Sequence, residues 1–168
     1  MNRLCILIVF LLGILAGNAK AALIEYEITD LGGDRHEYQY TVMNNSLSVA
    51  IEEFTIWFDV DLYDNLTITT PEPLANTWDE IILQETGFGL PLGYDALSLD
   101  TGIQIDEAIG GFSVSFDWIG TGEPDSQFFE IIDPVTFETI DSGYTVPEPL
   151  TLWFLVCGSI ILRRYNGY

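Results

Sequence analysis

Residues 53–62 alternate between apolar and mostly polar side chains at a period of two, and this pattern constrains the fold most strongly. The two interleaved sets are Phe54, Ile56, Phe58, Val60 and Leu62 on one side, and Glu53, Thr55, Trp57, Asp59 and Asp61 on the other. A β-strand places alternate side chains on opposite faces, whereas a helix would scatter both sets around its circumference. The pattern therefore predicts a strand with one buried face.

Shorter segments with the same alternation, or with β-branched runs, recur between turns rich in Gly, Pro, Asn and Asp. The other predicted strands are residues 23–29, 37–43, 65–69, 79–84, 96–99, 111–119, 127–132 and 135–140. Helical periodicity and internal repeats are absent from this part of the sequence. Eight or nine short strands with regular turns predict an all-β fold, an antiparallel β-sandwich.

The N-terminus has the three parts of a secretory signal peptide. A short positive segment leads into an apolar run over residues 4–15, and the small residues Ala19 and Ala21 then frame an A-x-A cleavage site. We expect residues 1–21 to form a signal-peptide helix that is removed. The mature chain is then expected to begin at Ala22.

The C-terminus contains an uncharged apolar run, residues 150–162, followed by Arg163 and Arg164. As a helix the run would be only about 20 Å long, which is short for a hydrocarbon core of about 30 Å. The arginine pair is nevertheless typical of residues that stay on the cytoplasmic side, and Pro147 and Pro149 prevent backward extension of the helix. The pattern predicts a C-terminal transmembrane helix. An ordinary tail anchor that is never cleaved is the alternative.

The four residues before this run, Val146, Pro147, Glu148 and Pro149, complete a recognisable order of features. The motif, the apolar run and the basic pair together resemble the PEP-CTERM sorting signal of exported Gram-negative proteins. The resemblance covers residues 146–164. It implies that exosortase, a membrane-embedded cysteine-type transpeptidase or protease, recognises the motif in the inner membrane. It also implies that the apolar run holds the chain there and that the arginines orient it.

The predicted organisation has three parts: a signal peptide (1–21), an exported acidic domain (22–145) and a sorting signal with its membrane segment (146–168). Of the 26 acidic residues, all but Glu148 lie in the exported domain, where Arg35 is the one basic residue. Such a surface repels nucleic acid, anionic lipid and acidic polysaccharide, and attracts divalent cations and basic partners. We therefore expect no nucleic-acid partner.

Residues that could carry catalysis are sparse. His36 is the one histidine, no G-x-S-x-G motif accompanies any serine, and no Cys/His cluster could hold zinc. We interpret His36 as a turn residue. The many carboxylates leave open a pair suited to glycoside hydrolysis, but the favoured interpretation is a protein that is not an enzyme.

Asp59, Asp61 and Asp64 are the candidate metal ligands, because hard carboxylate oxygens suit Ca²⁺. The segment does not match an EF-hand, whose sixth position is Gly where this chain has Asp64. The competing interpretation is a solvated acidic rim. No other cofactor is expected.

Trp57 shares the predicted polar face with Thr55 and Asp59. An exposed aromatic ring beside polar groups could stack on a sugar. Large aromatic side chains are usually mostly buried, however, so we expect a loop or sheet packing to cover Trp57.

These features together predict an exported protein that is held transiently in the inner membrane and then released to the periplasm, cell surface or extracellular matrix. The resemblance and the composition favour a structural or adhesive role associated with exopolysaccharide. A Ca²⁺- or carbohydrate-binding module is the first alternative, and a small glycan hydrolase is the second.

Overall fold

The computed structural model describes residues 21–84 and 91–149, which contain ten strands, one 3₁₀ turn and no α-helix. In chain order the strands are β1 (Ala22–Gly32), β2 (Arg35–Asn44), β3 (Glu53–Phe58), β4 (Tyr63–Ile68), β5 (Trp78–Leu83), β6 (Leu92–Ser98), β7 (Glu107–Trp118), β8 (Phe128–Ile132), β9 (Thr139–Tyr144) and β10 (Val146–Pro147), with the 3₁₀ turn at Leu74–Asn76.

The strands form two five-stranded sheets. The first sheet has the order β10-β1-β2-β7-β4, and the second has the order β5-β6-β3-β8-β9. Neighbouring strands are antiparallel except β1 and β10, which are parallel. The predicted all-β fold is confirmed, as two sheets in a β-sandwich-like arrangement.

Aromatic side chains from both sheets meet in the core between them. Phe54 of β3 contacts Phe112 of β7 edge to face, with ring centroids 5.0 Å apart. Tyr40 of β2 stacks against Tyr94 of β6 at 6.4 Å. All four side chains are fully buried. Burial of one such side chain contributes about 1.5–3 kcal/mol, so this core stabilises the domain without a disulfide.

A hydrogen-bonded network satisfies the polar ends of the buried tyrosines. The Tyr40 hydroxyl donates to Oε1 of Gln127 at 3.1 Å, and Nε2 of Gln127 donates to the Tyr38 hydroxyl at 2.9 Å. The Tyr38 hydroxyl in turn donates to the carbonyl oxygen of Asp125 at 2.8 Å. Desolvation raises the pKa of Tyr38 and of Tyr40, so both phenols stay protonated and act as donors.

One side of the domain is closed by the chain itself, which leaves β9 in the second sheet and enters β10 in the first. Thr145 is the crossing residue and is buried. Its N–H donates to the carbonyl oxygen of Gln127 at 2.8 Å, and its Oγ1 accepts from the Gln127 N–H at 2.9 Å. These bonds fix the point from which the C-terminal segment leaves the domain.

The prediction that one strand covers residues 53–62 is wrong for its last four residues. β3 ends at Phe58, because the carbonyl oxygen of Asp59 accepts the N–H groups of Leu62 and Tyr63 at 3.0 and 2.9 Å and so closes a turn. Asp59 and Asp61 lie in this turn rather than on a strand face, and Asp64 lies in β4. The alternation of polar and apolar residues continues through residues 59–62 in the sequence, although the backbone there forms a turn instead of a strand.

The predicted strand at residues 135–140 is also misplaced, because most of it is a turn. The Asp133 side chain organises this turn by accepting the N–H groups of Val135 and Thr136 at 2.8 and 3.0 Å. These backbone hydrogen bonds lower the pKa of Asp133. The last strand of the second sheet, β9, begins only at Thr139 and extends to Tyr144, beyond the predicted strand end at Ile140.

Several predictions fall outside the described residues: the signal peptide up to Lys20 with Ala19, the apolar run 150–162, and Arg163 and Arg164. Within residues 21–84 and 91–149, no helix has the length and apolar character needed to cross a membrane.

Candidate functional site

The outward face of the second sheet carries three aromatic side chains side by side. Strand register places Trp57 of β3 opposite Phe128 of β8, and Phe128 opposite Tyr144 of β9. Paired residues of adjacent strands point to the same side of a sheet. Their chain neighbours Ile56 and Phe129 are fully buried in the core, so the three rings point outward. We call Trp57, Phe128 and Tyr144 the aromatic row.

Trp57 is held across the sheet at both edges of its indole. A Cβ atom added to Gly93, its partner on β6, would lie 3.0 Å from Cε3 and Cζ3, so this edge rests on bare backbone. At the other edge Nε1 donates to Oε2 of Glu130 on β8 at 2.9 Å. The indole thus extends from β6 toward β8. Trp57 is half-buried by this packing.

The other two rings continue the row to the edge of the sheet. Phe128 and Tyr144 contact each other edge to face, with ring centroids 5.6 Å apart. Phe128 is half-buried, but Tyr144 is 60% exposed. The row therefore becomes more accessible toward β9, and its edge end is open to a partner.

Polar groups lie one register step from the row. Oγ1 of Thr55 donates to Oδ1 of Asp95 at 2.6 Å, and Oγ1 of Thr139 donates to Oε1 of Glu130 at 2.9 Å. Desolvation raises the pKa of Asp95, and the charge of Asp79 adds to the rise although the Thr55 hydrogen bond opposes it. Asp95 and Glu130 thus place carboxylate oxygens beside the aromatic row that can accept hydrogen bonds from hydroxyl groups, while Thr55 is buried beneath them.

The predicted sorting motif begins as part of the first sheet. Val146 and Pro147 form β10, which pairs with Glu25 and Tyr26 of β1. The N–H of Glu148 donates to the carbonyl oxygen of Tyr26 at 2.9 Å. The first residues of the motif are therefore held as an edge strand at the root of the C-terminal segment.

The Glu148 carboxyl lies among other carboxylates at this edge. Its pKa is raised, first by desolvation and then by a hydrogen bond and charge repulsion from Glu27, with a further contribution from Glu25. Oγ1 of Thr41 donates to its Oε1 at 3.4 Å, which partly offsets the rise. Deprotonation of Glu148 thus works against the attachment of β10.

The three predicted calcium ligands are not brought together as a ligand set. Oδ1 of Asp59 accepts the N–H of Asp61 at 2.9 Å, and Oδ1 of Asp64 accepts the N–H of Asn65 at 2.7 Å. Across residues 21–84 and 91–149, no group of three or more His, Cys, Asp or Glu side chains is arranged to hold a metal ion. The geometry here gives the calcium alternative no support.

His36 lies where β2 begins, and its ring stacks on Phe116 at a centroid distance of 5.8 Å. Its Nδ1 is 3.2 Å from the carbonyl oxygen of Asp34. These contacts position the ring by packing and by a backbone group. They do not form the serine, histidine and carboxylate chain of a hydrolytic triad.

Arg35 is engaged in the first sheet. Its guanidinium donates to Oδ1 of Asp117 at 3.0 Å, to Oγ of Ser115 at 2.7 Å and to the carbonyl oxygen of Asn65 at 2.8 Å. Nδ2 of Asn65 donates to the other oxygen of Asp117 at 2.7 Å, so the Asn65 side chain is also engaged. This cluster joins β2, β7 and β4 and pairs the one arginine of the described residues with Asp117.

A cavity of about 470 Å³ lies where β4 approaches β5 and β6, and is lined by residues that include Tyr63, Leu66, Ile82 and Leu92. Asp64 is the one carboxylate among its described lining residues. Glycoside hydrolysis normally uses a pair of carboxyl groups. The described part of this cavity does not provide such a pair.

Phe128 and Tyr144 are the site residues that sequence reasoning missed. Phe128 lies in a predicted strand, but nothing in the sequence pairs that strand with the one that carries Trp57. Tyr144 lies beyond the predicted end of the last strand. Residues 127–132 show no clean alternation of polar and apolar side chains, so no local signal assigned Phe128 to the outward face.

No family model matches the sequence, and no curated protein matches it. Among solved structures, the chain is similar to the GH20 exo-β-N-acetylglucosaminidase of Vibrio harveyi in complex with N-acetylglucosamine. That match has a TM-score of 0.41 and 9% identity, and covers 77% of this chain but 18% of the enzyme. An inactive mutant of the same enzyme gives a TM-score of 0.39 at the same identity and coverage. The chain thus spans less than a fifth of that protein, and the similarity defines no function for it.

Proposed function

We propose that this chain is an exported surface or matrix protein, not an enzyme, that adheres to a neutral polysaccharide through the aromatic row. The observation that carries the proposal is the register of Trp57, Phe128 and Tyr144 on one outward sheet face. Aromatic faces pack on the apolar faces of sugar rings, while neighbouring oxygens bind sugar hydroxyls. Asp95, next to the row, supplies such oxygens.

The acidic composition indicates which polymers fit. An acidic polysaccharide would meet a domain in which Arg35 is the one basic residue and is already paired with Asp117. Repulsion of that kind disfavours both encounter and binding. A neutral exopolysaccharide has no such penalty, so it is the class of ligand that we propose.

Delivery to the matrix is the second part of the proposal and rests on the two ends of the sequence. The signal peptide directs export, and the C-terminal segment that resembles PEP-CTERM holds the chain in the inner membrane for exosortase. Processing then releases the domain to the periplasm, cell surface or matrix. Val146 and Pro147 lie in β10 at the edge of the first sheet, so the predicted membrane segment follows the folded domain directly, as this order requires.

Affinity electrophoresis tests the adhesive role. We expect neutral glucan or galactan in the gel to retard the purified protein and acidic alginate not to retard it. Trp57→Ala and Tyr144→Ala should each weaken retardation about tenfold, equivalent to about 1.4 kcal/mol. Phe137→Ala is the control, because Phe137 is 79% exposed but lies outside the row. Unchanged retardation in both folded row variants would refute the proposal.

Mass analysis of the protein from its native host tests delivery. We expect a mature chain that begins at Ala22, ends near the Pro147–Pro149 motif and is recovered outside the membrane fraction. Retention of Arg163 and Arg164 in the inner membrane would instead identify a plain anchor and remove exosortase from the proposal.

A further inference from the structure

The predicted first residue of the mature chain is already bound to a carboxylate. Ala22 begins β1 and is only 1% exposed. Its backbone N–H donates to Oδ2 of Asp141, on β9, at 2.9 Å. The other oxygen of this carboxylate, Oδ1, accepts the N–H of Ser142 at 2.9 Å, which orients the group. One Asp141 oxygen is therefore aimed at the atom that leader removal would convert into an amine.

We infer that leader removal creates an ion pair between the Ala22 α-ammonium and Asp141, which fastens β1 of the first sheet to β9 of the second. The inference rests on the export part of the proposed function. In the step itself, a host leader peptidase adds water across the Ala21–Ala22 peptide bond. Ala21 leaves with a new carboxylate, and Ala22 keeps the nitrogen as an ammonium group.

The new ammonium group is well matched to its position. At neutral pH an α-amino group is largely protonated, and a hydrogen bond between two charged groups is shorter and stronger than one from a neutral amide. On β2, the residue that faces Ala22 in register is Asn44, which carries no charge. Asp141 is thus the charged group that the described contacts place at this nitrogen.

Cleavage also removes two contacts, and the structure shows how the domain tolerates the loss. The carbonyl oxygen of Ala21 accepts the N–H groups of Asn45 and Ser46 at 3.0 and 3.1 Å. The turn that contains them stays anchored by Asn44, whose Oδ1 accepts from the Leu47 N–H at 3.1 Å and whose Nδ2 donates to the Val49 carbonyl at 2.9 Å. The turn therefore does not depend on Ala21 alone.

The ion pair would lie at the root of the C-terminal segment. β9 continues through buried Thr145 into β10, and β10 pairs with β1. Maturation of the N-terminus thereby stabilises β10, the strand that contains the first two residues of the predicted sorting motif. One processing event at one end of the chain is coupled in this way to the geometry of the other end.

The sequence offers an unusually selective test, because Lys20 is the chain's one lysine and lies in the leader. The α-amine of Ala22 is then the one primary amine in residues 22–168, and an amine-specific acetylating reagent reports on it alone. The protein to use is the mature chain with its C-terminal segment, purified in detergent, and made from a fusion whose removal leaves Ala22 first.

Acetylation of the folded mature chain at neutral pH should be about tenfold slower than in denaturant, because an ion pair that raises the pKa of the amine by one unit lowers its reactive form tenfold. Asp141→Asn should restore fast acetylation. Asp79→Asn, which removes an exposed carboxylate on β5, should not. Equal rates in the folded parent and in a folded Asp141→Asn protein would overturn the inference.

A second measurement does not need a variant. The acetylated mature chain should melt at a lower temperature than the unmodified chain, and the difference should disappear as the pH rises through the pKa of the amine. Equal melting temperatures at neutral pH would also overturn the inference. The N-terminal mass of the native protein separately decides whether Ala22 is the start, so failure of the export proposal is distinguishable from failure of the ion pair.

Discussion

The two sheets share one core but present different faces to solvent. On the outward face of the first sheet, one register row consists of Glu27, Gln39 and Ser113. On the outward face of the second sheet, the corresponding kind of row is Trp57, Phe128 and Tyr144. Both sheets obey the same alternation of inward apolar residues, so the outward difference is not required by packing of the core.

This difference indicates where selection for a function would act. A solvated sheet face is ordinarily polar, and adjacent exposed aromatic rings mark an interaction surface more often than a structural need. The first face shows that the same fold can be built with a polar row at this position. The second face carries extra apolar surface, which is why we place the polysaccharide there.

One carboxylate on each face, Asp117 and Asp95, responds to the fold in the opposite direction. On the first face, hydrogen bonds from Asn65 and then Arg35 lower the pKa of Asp117. On the second face, desolvation raises the pKa of Asp95. The charged form is thus favoured at Asp117 and disfavoured at Asp95, which predicts pH effects of opposite sign for these two residues.

The largest expected effect comes from a matched pair of glycine substitutions. A Cβ at Gly93 would lie 3.0 Å from the Trp57 ring, which Glu130 also holds, whereas a Cβ at Gly110 on the first sheet would lie 2.8 Å from Oγ1 of Thr41, which makes one long hydrogen bond to Glu148. Gly93→Ala should cost about 1–2 kcal/mol in urea unfolding because the indole must move. Gly110→Ala should cost less, because one rotation of Thr41 clears the new methyl group at the loss of a single long hydrogen bond to Glu148. An equal loss of unfolding free energy in the two variants would show that the Trp57 indole moves as readily as the Thr41 side chain.

Arg35→Gln should give the next largest effect, a melting temperature lowered by a few degrees, because three hydrogen bonds across β2, β7 and β4 are lost. A lowered carboxyl pKa contributes stability above the unfolded value that is lost as pH falls through the folded value. The acid side of the stability curve should therefore be shallower in this variant. A curve parallel to that of the parent would contradict the role assigned to Arg35.

How much of the fold could be predicted from the sequence depends on whether the interactions that determine each element are local or distant in the chain. Alternation is a local property, so the all-β class and most strands could be predicted from residues such as Phe54 and Ile56. The end of β3 could not, because the Asp59 carbonyl that closes the turn competes with a pattern that continues to Leu62. The start of β9 could not be predicted either, because the Asp133 side chain forms the preceding turn by accepting two backbone N–H groups. Residue periodicity does not reveal such hydrogen bonds.

The aromatic row was harder to predict for a different reason. Trp57, Phe128 and Tyr144 are far apart in the chain and meet only because β3, β8 and β9 are neighbours in one register. A shift of one residue in either pairing would turn a ring toward the core. Trp57 alone could be proposed from its polar neighbours, but the row is a property of the sheet.

Asp95→Asn should have a smaller effect, and one of opposite sign to Arg35→Gln. Because its pKa is raised in the fold, the stability linked to Asp95 is complete below the ordinary aspartate pKa of about 3.9 and is lost as pH rises through the folded value. Asparagine at position 95 does not ionise, so it does not lose this stability as the pH rises. Its side-chain oxygen can still accept the hydrogen bond from Thr55. We expect a melting temperature equal to or above that of the parent at pH 7. A clear decrease at pH 7 would mean that the Asp95 charge is stabilising.

The smallest expected effect is local and concerns the edge of the first sheet. The raised pKa of Glu148 means that β10 is held best when this carboxyl is protonated, and that the contribution is lost as pH rises through the folded value. Glu148→Gln removes the repulsion from Glu27 and keeps an acceptor for Thr41, so β10 should stay attached at neutral pH.

Hydrogen exchange can measure this at one amide, because the N–H of residue 148 bonds to the Tyr26 carbonyl at 2.9 Å while Pro147 and Pro149 have no N–H. After correction for intrinsic rates, its protection should fall from pH 4.5 to pH 7 in the parent and stay constant in Glu148→Gln. Glu138→Gln, an exposed carboxylate in the β8–β9 turn, is the matched control and should behave as the parent. If protection in Glu148→Gln depended on pH as it does in the parent, the carboxylates near β10 would not govern its release. The electrostatic difference between the two sheets would then not extend to this edge strand.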